Sequence, residues 1–236
     1  MKITAKFLLL SSILIGLALA MRPVAPTLNG AWRLTNTTGK TVLVTVADGY
    51  LMWTEYAPNR FVSTRGGAWQ QEGRQLKLTV EFDSRDSIRV GQVENLPLSL
   101  SNAQMTLGSL NFERIDEPSA QTPLAGLWRI TGREGQDGQM GTMQRGARKT
   151  IKLLTGTRFQ WAAINPQTKQ FSGCGGGTYT MKDGKYTETI DFFSRDNTRV
   201  GRSLSFDYSL SGDVWDHRGM SSTGGKVHEA WSRERP

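Results

Sequence analysis

Alternation of apolar and polar residues with a period of two dominates this chain. Leu76, Leu78, Val80 and Phe82 alternate with Lys77, Thr79, Glu81 and Asp83, and Leu204, Phe206, Tyr208 and Leu210 alternate with serines and an aspartate. This pattern puts one face of a strand on a core and the other in water. Turn signals punctuate it at short intervals: Thr38-Gly39, Asp48-Gly49, Pro58-Asn59, Glu72-Gly73 and Ser84-Arg-Asp86, then Asp183-Gly184, Arg195-Asp-Asn197 and Ser211-Gly-Asp213. Beyond the N-terminal stretch no segment keeps a 3.6-residue apolar period for more than two turns. The chain is therefore expected to be all-β.

The strand pattern occurs twice. Thr79-Val-Glu-Phe-Asp-Ser-Arg-Asp-Ser-Ile-Arg-Val-Gly91 matches Thr189-Ile-Asp-Phe-Phe-Ser-Arg-Asp-Asn-Thr-Arg-Val-Gly201. Upstream, Leu28-Asn-Gly-Ala-Trp-Arg-Leu-Thr35 faces Leu124-Ala-Gly-Leu-Trp-Arg-Ile-Thr131, and downstream Asn111-Phe-Glu-Arg-Ile115 faces Ala230-Trp-Ser-Arg-Glu234. Shared order and spacing mark an internal repeat. One copy runs over about 28–116 and the other over 124–236, joined by the Pro-bearing linker 117–123. The second copy is longer at Gly132–Arg148 and at Ser221–Lys226. About eight short antiparallel strands per copy suit a small barrel, whose closure removes exposed edges. The glycines at Gly66-Gly67 and Gly173–Gly177 suit sharply bent barrel strands.

The N-terminus has another character. Lys2 and Lys6 precede a largely apolar run from Phe7 to Ala18, and Leu17-Ala18-Leu19-Ala20 supplies small residues for cleavage. Residues 1–20 are thus expected to be a signal peptide, and the protein periplasmic or secreted, without a membrane span after cleavage. The alternative is an uncleaved anchor. Cys174 stands alone, so no internal disulfide is available and core burial must hold the fold. The formal charge of +8 falls to +6 without the two leader lysines, and the basic residues are scattered rather than gathered into a stripe. Nucleic-acid binding is not expected.

Gly30-x-Trp32 at the start of the first copy with Arg114 near its end, and Gly126-x-Trp128 with Arg233 in the second, resemble the signature of the calycin superfamily, in particular the lipocalin-like domains of exported bacterial proteins. The resemblance implies two tandem calycin-like barrels, each with the late Arg packed across the early Trp. The copies are shorter than true lipocalins and lack their disulfide.

Comparison of the copies suggests where chemistry sits. Tyr186, Glu188, Ile190 and Phe192 are expected to share the interior of the second barrel, against Leu76, Leu78, Val80 and Phe82 in the first. Arg202, Tyr208 and Glu229 likewise fall on faces that are less polar in the first copy. Charges on inward faces require partners or water. Either Arg202 bridges Glu188 and Glu229 in a satisfied network, or a strand bulges outward, or these groups head a pocket walled by Trp161, Tyr179, Phe206 and Trp215. His217 is expected near the mouth or at a surface turn, and His228 on the face opposite Glu229. The Ser84-Arg85-Asp86 and Ser194-Arg195-Asp196 loops read as capped turns. No metal-site spacing or nucleophile elbow is present, so neither cofactor nor metal is expected. Three functions stay open: a binding protein for a small amphipathic or hydrophobic ligand, an interaction module of filled barrels that contacts a protein or glycan through loops such as 132–148, and an isomerase or cyclase. The oligomeric state is left open.

Overall fold

Short turns that the alternation leaves between strands convert each repeat into a meander. Asp48-Gly49 and Asp183-Gly184 both take positive φ, the two-residue geometry that matches strand twist in a hairpin. The computed structural model describes residues 26–117 and 122–236. The expected leader, residues 1–20, and most of the linker lie outside the described residues. The first repeat forms β1 (Gly30–Thr35), β2 (Thr41–Ala47), β3 (Tyr50–Ala57), β4 (Arg60–Glu72), β5 (Gln75–Asp83), β6 (Val93–Leu100), β7 (Gln104–Leu107) and β8 (Leu110–Arg114). Each strand pairs antiparallel with the next, and β8 returns to β1 with Arg114 opposite Trp32.

The second repeat forms β9 (Gly126–Glu134), β10 (Met140–Thr142), β11 (Lys149–Leu154), β12 (Arg158–Asn165), β13 (Gln170–Lys182), β14 (Lys185–Phe193), β15 (Ser203–Ser211), β16 (Val214–Met220) and β17 (Lys226–Arg233). It closes through β17 against β9, with Arg233 opposite Trp128. The extra strand β10 folds back on the far end of β9. The molecule is all-β: two closed eight-stranded antiparallel barrels in tandem, compatible with a calycin-like fold.

One end of each barrel is sealed in the same way. The Arg114 guanidinium lies 3.9 Å from the centroid of the buried Trp32 ring, and Arg233 lies 4.4 Å from that of Trp128. Each indole N–H donates at 2.8 Å to the carbonyl four residues earlier, Leu28 or Leu124. The Ser-Arg-Asp loops are structural. Asp86 and Asp196 each accept the backbone N–H two residues on at 3.0 Å, capping a single 3₁₀ turn.

The alternation rule fails on one wall of each barrel. Ile151 and Leu153 are as buried as Lys152 between them, and Leu43 as buried as Val44. These strands have a barrel interior on one face and the other barrel on the opposite face. A continuous apolar layer lies between the barrels, built from Leu43, Met52 and Phe82 on one side and Ile151, Ile164 and Phe192 on the other. Cys174 is buried in this layer, and burial pushes its thiol up to about 12.

Phe82 and Phe192 were expected inside their barrels and instead face outward into this layer. A bulge is the reason. Gly177 pairs with Ile190 but Gly176 with Phe192, so Asp191 is an extra residue and the facing reverses; Gly66 and Gly67 do the same to Phe82. Only glycine fits at the bulge, since a Cβ on Gly67 would lie 1.8 Å from the Thr79 carbonyl oxygen. The contact is reciprocal: Phe82 stacks on Phe171 at 6.4 Å, and its counterpart Phe192 packs on Phe61, the counterpart of Phe171, at 6.5 Å. Gln160 crosses the layer, accepting from Thr54 Oγ1 at 2.6 Å and donating to Thr45 Oγ1 at 3.0 Å. Phe192→Ala is expected to cost about 3–5 kcal/mol, seen as a lower urea midpoint. A loss below about 1 kcal/mol would show that the barrels do not depend on each other.

Candidate functional site

A cavity of about 1550 Å³ opens into the second barrel from the end opposite the Trp128–Arg233 seal. Equivalent positions in the first barrel explain why it is there. The mouth of the first barrel is plugged: Arg65 lies 4.7 Å from the Trp53 ring centroid and pairs with Glu94 at 2.9 Å, while Arg89 reaches Glu94 at 2.5 Å. Trp53 pairs across the strands with Arg65, whereas its counterpart Trp161 pairs with Gly175. Leu204 likewise occupies the place of Glu94. Loss of the plug leaves Trp161, Ile190, Phe193, Leu204 and Phe206 as an apolar wall.

The inner end is polar. Lys152, in the register place of Val44, points into the barrel because Ile151 and Leu153 on either side face the other barrel. Its ammonium donates to Glu188 Oε1 at 2.7 Å, and the Tyr186 hydroxyl donates to the same oxygen at 2.7 Å. The rings of Trp231, Trp215, Tyr186 and Phe159 surround the ammonium, their centroids 5.1–5.8 Å away. Glu229 accepts from Arg133 Nη2 at 2.5 Å and from Trp231 Nε1 at 3.1 Å. Lys152, Glu188, His217 and Glu229 thus replace Val44, Leu78, Leu107 and Leu110 of the first barrel.

His217 is not a surface histidine. It is 3% exposed and lies 4.1 Å from the Phe206 ring, centroid to centroid. Its nearest carboxylate oxygen, on Glu229, is 3.7 Å away, beyond hydrogen-bond reach, and both ring nitrogens lack a partner among the described residues. Burial lowers its pKa against the pull of Glu229 and Glu188, so the imidazole is neutral at pH 7. Glu229 is pushed up by burial but held down more strongly by the cations beside it, Lys152 and Arg133, to about 2.

Of the residues expected from sequence, Glu188, Glu229, Trp161 and Phe206 line the cavity. The other four do not. Arg202 was expected inside and is exposed: it precedes β15, past the rim of the wall, and donates to the Ser222 carbonyl at 3.2 Å. Arg202 therefore bridges neither carboxylate; Lys152 and Arg133 take that part. Tyr179 is buried at the sealed end and donates to the Thr155 carbonyl at 2.5 Å. Trp215 is fully buried edge-on to Trp128, and half-buried Tyr208 packs at the margin of the same core.

Sequence reasoning missed Lys152, although aligning the second strand of each copy would have set it against Val44. His217 was also legible, two residues from Trp215 on the same strand face.

Both segments that lengthen the second copy stand at the mouth. The β9–β10 hairpin contributes residues from Arg133 to Gly138, and the loop after β16 contributes Ser221, Ser222 and Thr223. His228 lies near the rim between Glu134 at 2.6 Å and Asp216 at 2.9 Å, which raise its pKa. Among the described residues no cluster of three or more His, Cys, Asp or Glu is placed to hold a metal ion.

Lys152→Met is expected to cost about 3–5 kcal/mol, because Glu188 would remain buried without its cation. The pair replacement Lys152→Val with Glu188→Leu, which restores the first barrel's residues, is expected to recover most of that loss in urea titrations. Acid should weaken the fold in two windows. Below pH 6.5 the unfolded chain protonates His217 while the folded chain resists, so stability falls as pH drops; His217→Phe should flatten that slope. From 4.5 down through about 2, the loss arises from Glu229, and Glu229→Gln should flatten it. No family model and no curated protein matches the chain.

Proposed function

We propose that the protein is an exported, calycin-like binding protein whose second barrel holds a small amphipathic or hydrophobic ligand. One observation carries this reading. The second barrel lacks the Arg65–Glu94 plug of the first and is hollow, with a cavity well above the ~300 Å³ lower bound of small-molecule sites. Apolar walls with a few convergent polar groups at the inner end are the composition such sites share. The two segments peculiar to the second copy meet at the mouth of this cavity, where a ligand would enter. Export rests on the leader-like residues 1–20. The first barrel, filled by Trp32, Val44, Leu78, Met105 and Phe112, braces the wall of the second.

The open second barrel disfavours an interaction module with both interiors filled. An acid–base enzyme is a second reading, favoured by neutral His217 beside ionised Glu229. Binding is preferred because both imidazole nitrogens are covered.

The test transplants the plug. Gly175→Arg, Phe193→Asp and Leu204→Glu together rebuild the Arg65, Asp83 and Glu94 set of the first barrel. Fluorescence of 1-anilinonaphthalene-8-sulfonate is expected to rise on binding to the natural protein and not to the triple variant, with far-ultraviolet circular dichroism unchanged. Equal binding by both would overturn the reading.

A further inference from the structure

The charged groups of the cavity are distributed unequally between its two ends, and the distribution specifies which end of a ligand goes in first. At the inner end every charge has a partner: Lys152 with Glu188, and Glu229 with Arg133. A second anion placed there would meet two carboxylates and find both nearby cations engaged. It would also have to give up its hydration. At the mouth the balance is different. Seven Lys or Arg and four Asp or Glu line the cavity as a whole, an excess of three positive charges. Arg148, Arg195 and Lys226 are exposed there with no carboxylate partner among the described residues. Arg148 ends the first of the two added segments and Lys226 ends the second, so this charge arrives with the residues that distinguish the second copy. The mouth's anions are less available: Glu134 is engaged by His228, which leaves Asp137 at the hairpin tip.

Resting on the reading above, we propose that the ligand is an amphipathic anion bound head-out: its apolar, ring-bearing body lies along Trp161, Phe193, Leu204 and Phe206, and its carboxylate, sulfate or phosphate group is held at the mouth by Arg148 and Lys226. The rings on the wall favour a flat body, since Trp161 and Phe193 already meet edge to face at 5.7 Å. Clustered cations around an opening also draw an anion in from solution, an effect that salt screens.

Three probes that share one body and differ in head group test this: biphenyl-4-sulfonate, 4-hydroxybiphenyl and biphenyl-4-yl-trimethylammonium, each titrated by quenching of the protein's tryptophan fluorescence. The sulfonate is expected to bind about tenfold more tightly than the neutral probe and the ammonium least well, with the preference shrinking between low and high salt. In Arg148→Glu with Lys226→Glu the sulfonate's advantage should vanish while the neutral probe's affinity stays unchanged. Both residues are exposed, so the fold should tolerate the change. Equal affinity of the natural protein for all three probes, or an unchanged preference in the double variant, would overturn the head-out anion and leave the pocket standing. Binding of none of the three would count against the pocket itself.

Discussion

Phe82 and Phe192 each leave their own barrel and pack against the other, and most of what distinguishes this molecule from a pair of beads on a string follows from that exchange. A barrel strand ordinarily has one buried face and one wet face. Here β2 and β11 bury both against the other barrel, and at the ends of β5 and β14 two glycine bulges turn a phenylalanine outward into the same layer. The result is a shared wall buried from solvent on both faces along β2 and β11. The Lys152–Glu188 pair at the inner end of the second barrel is mounted on that wall. Lys152 emerges from β11 between two residues packed against the first barrel, and Glu188 from β14, three strands along the same sheet. A buried ion pair needs its geometry held by its surroundings, and the shared wall holds it.

The two halves illustrate how few positions separate a solid barrel from a hollow one. Both keep the same closing contact of Arg on Trp, the same capped 3₁₀ turn and the same bulge. The difference lies in one plug at the mouth and four interior side chains. Where the first copy uses hydrocarbon and an Arg–Glu clasp, the second uses glycine, leucine and a self-neutralising set of charges. The architecture is thus carried by residues the copies share, and the cavity by residues they do not.

That division also governs what could be read from the amino acids alone. The repeat, the all-β architecture and the seal at one end were legible because they depend on period-two alternation, turn residues and a paired motif. Glu188 and Glu229 stood out as charges inserted into alternating strands. Lys152 did not, since Thr150-Ile151-Lys152-Leu153-Leu154 sits in a strand buried on both faces, where alternation carries no information. Phe192 was misplaced for a related reason: a bulge of one residue leaves no mark in a pattern of apolar letters but reverses every side chain beyond it. Arg202 fitted the alternation, yet the wall ends one residue too soon for it to matter.

The lone thiol of Cys174 gives this arrangement a built-in clock. It is sealed in the layer between the barrels and held as the unreactive protonated form. In an oxidising compartment an exposed free cysteine would pair with whatever thiol it met. Here the reaction has to wait until the halves part, so the rate at which an alkylating reagent modifies that sulfur reads out how often the native molecule opens along its seam.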